Sequence, residues 1–127
     1  MSTIKTTTLS TQGGSTVPVD TVVNGTAKAW VNFSGKGTVA IRRAFNVSSI
    51  TDNGVGNYII TFATSMADAN YSGVGNGRFE VTGGGHDYGA AIALAELTTS
   101  SVKIYTSDGA GPNNAEDENL VMVTIFS

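Results

Sequence analysis

His86 and Asp87 stand side by side in the run Gly83-Gly84-Gly85-His86-Asp87-Tyr88-Gly89, where the chain's one imidazole has a carboxylate for a neighbour. An imidazole oriented by a carboxylate makes two members of a nucleophilic triad, and the third must be a hydroxyl within its reach. Adjacent side chains on a glycine-rich loop do not line up in that series, and no Gly-x-Ser-x-Gly elbow occurs in the chain. The run reads instead as a display loop. It combines backbone freedom with two hydrogen-bonding side chains and an aromatic ring, the mixture that recognition loops use. His86, Asp87 and Tyr88 are therefore candidate receptor contacts, and no residue is assigned to catalysis.

Glu116-Asp117-Glu118 offers the oxygen ligands that calcium takes, without the Asp-x-Asp-x-Asp-Gly alternation of a calcium loop. A solvated acidic rim, or a blunted sheet edge, is the expected role. With no cysteine and a single histidine, a zinc centre has too few nitrogen and sulfur ligands. Gly75-Asn76-Gly77 and Gly83-Gly84-Gly85 lack the lysine and the strand-to-helix context of a phosphate loop and read as turns. Arg42-Arg43 suits a rim salt bridge. Trp30, Tyr71, Tyr88 and Tyr105 could stack on sugars. Trp30 lies mid-strand, which favours core or subunit contact, so Tyr88 is the better ligand contact. The chain is expected to need no metal and no cofactor.

The elements that would carry these residues are strands. Charged residues make up only 13% of the 127-residue chain, whereas Ser, Thr, Asn, Val and 16 glycines dominate, which suits strands and turns more than helices. A net charge of −3, with no basic cluster beyond Arg42-Arg43, argues against nucleic acid or an anionic membrane as partner. No apolar run approaches the length of a membrane helix and no signal peptide is seen, so synthesis in a cytoplasm is expected.

Taken in order, residues 1–16 are Thr-rich and read as an extended arm that orders on a neighbour. Residues 17–127 read as one domain. Val17 to Val23 is expected to be extended, with Pro18 keeping it off a sheet centre. Asn24-Gly25 then reads as a turn into Ala27–Phe33, where Ala27, Ala29, Val31 and Phe33 share one face and Lys28, Trp30 and Asn32 the other. Phe45–Phe62 is a hairpin around Asp52-Asn53-Gly54, with a bulge expected near Ser48-Ser49 because Phe45 and Val47 share a parity that Ile50 does not. Ser65–Tyr71 is expected to make one helical turn at most. Ala90–Leu97 reads as a strand despite its helix propensity, since its surroundings are all β.

Val121, Val123 and Ile125 line one face of the last strand, and Leu120, Met122 and Phe126 line the other. A strand apolar on both faces must be covered on both, and a second subunit is the natural second cover. Trp30, Leu120, Met122 and Phe126 are thus the candidate subunit interface. The expected fold is all-β, an antiparallel β-sandwich or jelly-roll-like domain behind an extended N-terminal arm.

The run Gly25-Thr26-Ala27-Lys28-Ala29-Trp30-Val31-Asn32-Phe33, continued by Gly37–Arg42, Phe45–Gly54, Tyr58, Phe62, Met66 and Asp68-Ala69-Asn70-Tyr71, resembles bacteriophage virion proteins of the tail-fibre type. The opening Met1–Thr6 is similar to that of short members. Ala67 departs from the pattern, since members often carry proline there, and the half after Tyr71 has no counterpart. The resemblance implies a non-enzymatic virion protein, usually trimeric, exposed on the particle as a tail fibre or fibre tip. Its implied partners are other virion proteins, reached through the arm, and a host-surface glycan or protein. Capsid decoration on the phage head is the alternative, and a free carbohydrate-binding module the third reading.

Overall fold

The computed structural model describes residues 1–79, 88–108 and 114–127. Near the N-terminus, β1 (Thr8–Ser10) pairs with β2 (Thr16–Pro18), and α1 (Val19–Gly25) follows. Eight further strands complete the chain: β3 (Ala29–Ser34), β4 (Ala40–Phe45), β5 (Val47–Asp52), β6 (Asn57–Phe62), β7 (Ser72–Phe79), β8 (Tyr88–Ala95), β9 (Ser101–Ser107) and β10 (Leu120–Phe126). The fold is all-β, as the composition implied.

These eight strands form one antiparallel sheet in the order β4-β3-β10-β7-β8-β9-β6-β5. Its two edges, β4 and β5, are consecutive in sequence with Asn46 alone between them. The sheet therefore folds over almost into a closed barrel, with β3 and β10 facing β6 and β9. Phe33 of β3 meets Tyr58 of β6 edge-on, ring centres 5.3 Å apart, across the interior. Ala29, Val31, Val102, Ile104, Val121, Val123 and Ile125 fill the space around that pair. The period-two pattern legible in the sequence is what sends these residues to one face.

Asn46 makes the corner. Its φ of +53° is a left-handed conformation that asparagine tolerates better than most residues. Its Nδ2 donates to the carbonyls of Lys28 (3.0 Å) and Thr64 (3.1 Å), and its Oδ1 accepts from Thr64 N at 2.7 Å. One side chain thus ties the start of β3 to the segment leaving β6, across the seam between the edge strands. The bulge expected near Ser48-Ser49 is present, since the β5–β6 register shifts between Val47 and Ser49. The hairpin turn is present too, with Gly54 and Gly56 supplying its positive φ.

Two expectations are corrected. Val19 to Gly25 is helical, not extended. Pro18 stands in extended conformation just before the first turn and Asp20 lies within that turn, two start signals that outweigh three β-branched valines over so short a span. Ser65–Tyr71, for which one helical turn was the upper bound, contains bends and no helical turn. Gly75-Asn76-Gly77 is not a turn but the middle of β7. A Cβ on Gly73 would lie 2.7 Å from Ile125 Cδ1, and one on Gly75 would lie 2.8 Å from Ile92 Cβ. The inner face of β7 lacks side chains because Ile92 and Leu94 of β8 and Ile125 of β10 already fill it.

Candidate functional site

The four residues expected at a subunit interface lie on one surface. Val121, Val123 and Ile125 of β10 are buried inward, which leaves Leu120, Met122, Thr124 and Phe126 on the outer face. Strand register places Trp30 of β3 beside Thr124, and Phe45 of β4 beside Trp30. On the far side, Val74 of β7 sits beside Thr124 and Asn76 beside Met122. One row across the sheet therefore reads Phe45, Trp30, Thr124, Val74, and the next reads Arg43, Asn32, Met122, Asn76.

Among the described residues, nothing covers this face. Phe45 is 53% exposed, Val74 59% and Met122 37%, while Trp30, Leu120 and Phe126 are half-buried by their neighbours in the sheet. Sequence reasoning missed Phe45 and Val74 as members of the patch. Phe45 was legible as Trp30's partner only once the β3–β4 register was known. Val74 stands among glycines that looked like turns.

The N-terminal arm is the second uncovered feature. β1 and β2 pair with each other and not with the main sheet, and α1 buries no residue. Ile4, Leu9, Val22 and Val23 are all exposed. A lone two-stranded ribbon and a seven-residue helix are each marginal in water. The arm is tethered to the body where Lys28 Nζ donates to Val23 O and Thr26 Oγ1 donates to Val22 O at 2.5 Å. Beside this tether opens a cleft of about 770 Å³, walled chiefly by Ala27, Lys28, Phe45, Met66 and Ala67 and reached by the terminal Ser127.

At the opposite end of the sheet the acidic run departs from its expected role. Glu116 is exposed, but Asp117 is half-buried and Glu118 is buried at 2% exposure. Asp117 Oδ1 accepts from Gly56 N at 2.8 Å and from the Tyr58 hydroxyl at 2.5 Å. Burial first, and then that hydrogen bond to a carboxylate, raises the Tyr58 phenol far above its ordinary range. The run is not a solvated rim, because its residues close the interior over Tyr58. Among the described residues, no three acidic or histidine side chains are placed to share a metal ion.

The remaining sequence candidates fall apart in space. Tyr71 is buried against Phe62, ring centres 5.8 Å apart, and its hydroxyl is held by the carbonyls of Thr98 (3.1 Å) and Ser101 (2.9 Å). It offers no surface to a sugar. Burial raises its phenol pKa. Arg42 bonds to Asn32, Phe33 O and Asn119, a structural role at the sheet edge. His86 and Asp87 lie outside the described residues, and Tyr88 is placed by its backbone, opposite Phe79 at the start of β8. No described helix is long and apolar enough to cross a membrane. No protein family, curated protein or solved structure matches this chain.

Proposed function

We propose that the chain is a non-enzymatic structural protein of a bacteriophage particle, assembled as a trimer and displayed as a tail-fibre or fibre-tip component that contacts the host surface. The observation that carries this reading is the outer face of β3, β10 and β7, with Phe45, Val74 and Met122 open to water around a half-buried Trp30. An apolar patch of this composition suits contact with another protein subunit. The number three and the particle setting rest on the resemblance of the Trp30 segment. In this reading His86, Asp87 and Tyr88 meet the host, and the arm meets other virion proteins.

The arm also favours a second reading, capsid decoration, because an element with no buried residue of its own needs a binding partner to stay ordered. Deleting Met1 to Ser10 distinguishes an attachment device from an incidental tail. The deleted protein is expected to fold and self-associate normally and to be missing from assembled particles. Normal incorporation would remove the arm from the account. A wild-type monomer by light scattering at micromolar concentration would remove the subunit interface.

A further inference from the structure

Residues 114–119 form a strap across the end of the sheet where the turns after β3 and before β6 meet β9. Glu116 N donates to Thr106 O at 3.2 Å, and Thr106 Oγ1 donates to Glu116 O at 2.5 Å. Asp117 takes the Gly56 amide and the Tyr58 hydroxyl, and Gly35 N donates to Glu118 O at 2.8 Å. Asn119 Oδ1 accepts from Ser34 Oγ at 3.2 Å and from Arg42 Nη2 at 2.9 Å. The strap is therefore hydrogen-bonded to four strands and two turns.

The Glu118 side chain goes inward at the centre of this strap, and its Oε1 meets no hydrogen-bond donor; nor does Asn57 Oδ1 at the start of β6. A buried carboxylate with one oxygen lacking a donor is unfavourable when charged. Protonation removes the charge and turns one oxygen into a donor. The groups around it increase the effect. Glu116 and Asp117 act from the strap and Asp108 from just beyond β9, while Lys36 opposes them from the turn after β3. The acidic groups do not converge on a shared ion among the described residues, so a proton is the ligand that the geometry fits.

We propose that residues 114–119 are a proton-operated latch: with Glu118 neutral the strap stays seated over Tyr58, and ionisation of Glu118 loosens it from Gly35, Gly56 and Tyr58. Burial and the charge of Glu116 push the seated carboxyl from the ordinary 4.5 up to about 7, against the pull of Lys36. A lifted strap returns Glu118 to water and to its ordinary value, so the lifted state gives up its proton first. Lifting is least favourable in acid, grows by up to about tenfold per pH unit, and levels off above about pH 7. The latch stands independently of any role on a particle.

Amide hydrogen exchange at Gly35 and Gly56, corrected for intrinsic base catalysis, reads the lifting directly, because both N–H groups bond to the strap. In the intact protein, protection at both amides is expected to fall by ~100-fold between about pH 5 and pH 8. Glu118→Gln, isosteric with the neutral acid, is expected to hold protection constant over that range. Carbon-13 titration of the wild-type Glu118 carboxyl, expected near neutrality, supplies a test that needs no variant. The latch is overturned by pH-independent protection in the wild type, by the same slope in Glu118→Gln, or by a carboxyl titrating at its ordinary value. A rise in Gly56 protection on adding calcium chloride at pH 8 also overturns it, since an ion would then take the proton's place.

Discussion

Replacing Asn46 with alanine removes the side chain that holds the two sheet edges together. Three hydrogen bonds go: two donated by Nδ2 to Lys28 O and Thr64 O, and one accepted by Oδ1 from Thr64 N. Each is worth about 1 kcal/mol net. Holding alanine at a φ of +53° adds about 1 kcal/mol. Asn46 is half-buried, so water repays part of the loss, and the expected destabilisation is about 2–3 kcal/mol. Asn46→Gly relieves the backbone but not the bonds and should lose about 1 kcal/mol less. Asn46→Asp keeps the acceptor for Thr64 N but turns a carboxylate oxygen on two carbonyls, so it should be no better than alanine. Urea unfolding followed by Trp30 fluorescence gives all three values, provided the m-value is unchanged. An Asn46→Ala protein within about 0.5 kcal/mol of wild type, or a glycine variant worse than alanine, would refute the corner's role.

Gly75→Ala drives a Cβ to 2.8 Å from Ile92 Cβ and should cost about 2–3 kcal/mol. Thermal unfolding of the Gly75→Ala/Ile92→Ala double mutant should show a favourable coupling of about 1 kcal/mol, and strict additivity would contradict close packing at β7. Wild-type stability should decline as pH rises from 4.5 toward about 7, by about 3 kcal/mol at most, because folding raises the Glu118 pKa and the unfolded chain sheds that proton first. Denaturant titrations of wild type and Glu118→Gln, compared across this window, should differ in slope, the variant being the flatter. Met122→Asp should leave the single chain folded, since Met122 is 37% exposed there, yet dissociate the proposed oligomer by placing an unpaired charge in the proposed contact. Light scattering beside circular dichroism separates these two effects, and an intact oligomer would clear Met122 of any interface role.

The alternation of Ala29, Val31 and Phe33, and the two apolar faces of β10, made the sheet and its outer patch legible, because period two reports directly which side chains share a face. The bulge in β5 was legible for the same reason, as a break in that period. What escaped the sequence depends on contacts distant along the chain. Gly73, Gly75 and Gly77 carry no pattern of their own, and only Ile92, Leu94 and Ile125 packing into their space reveals them as a strand. Glu118 has the parity of the outward residues of β10, yet the strap turns it inward where Gly35 N takes its carbonyl. The short helix at Val19 was hidden by valines whose intrinsic preference is weak and easily overruled. Tyr71 and Tyr105 look alike as sequence, and burial alone separates them.

The central proposal, that this chain is a displayed part of a phage particle, is tested most directly by quantitative mass spectrometry of particles purified from cells in which the chain is expressed during phage infection. The account predicts that the chain is present at a copy number divisible by three, in the tens for a tail fibre; hundreds of copies would move it to the capsid surface as a decoration protein. Its absence from the purified particles, with the chain abundant in the infected-cell lysate, would contradict the claim.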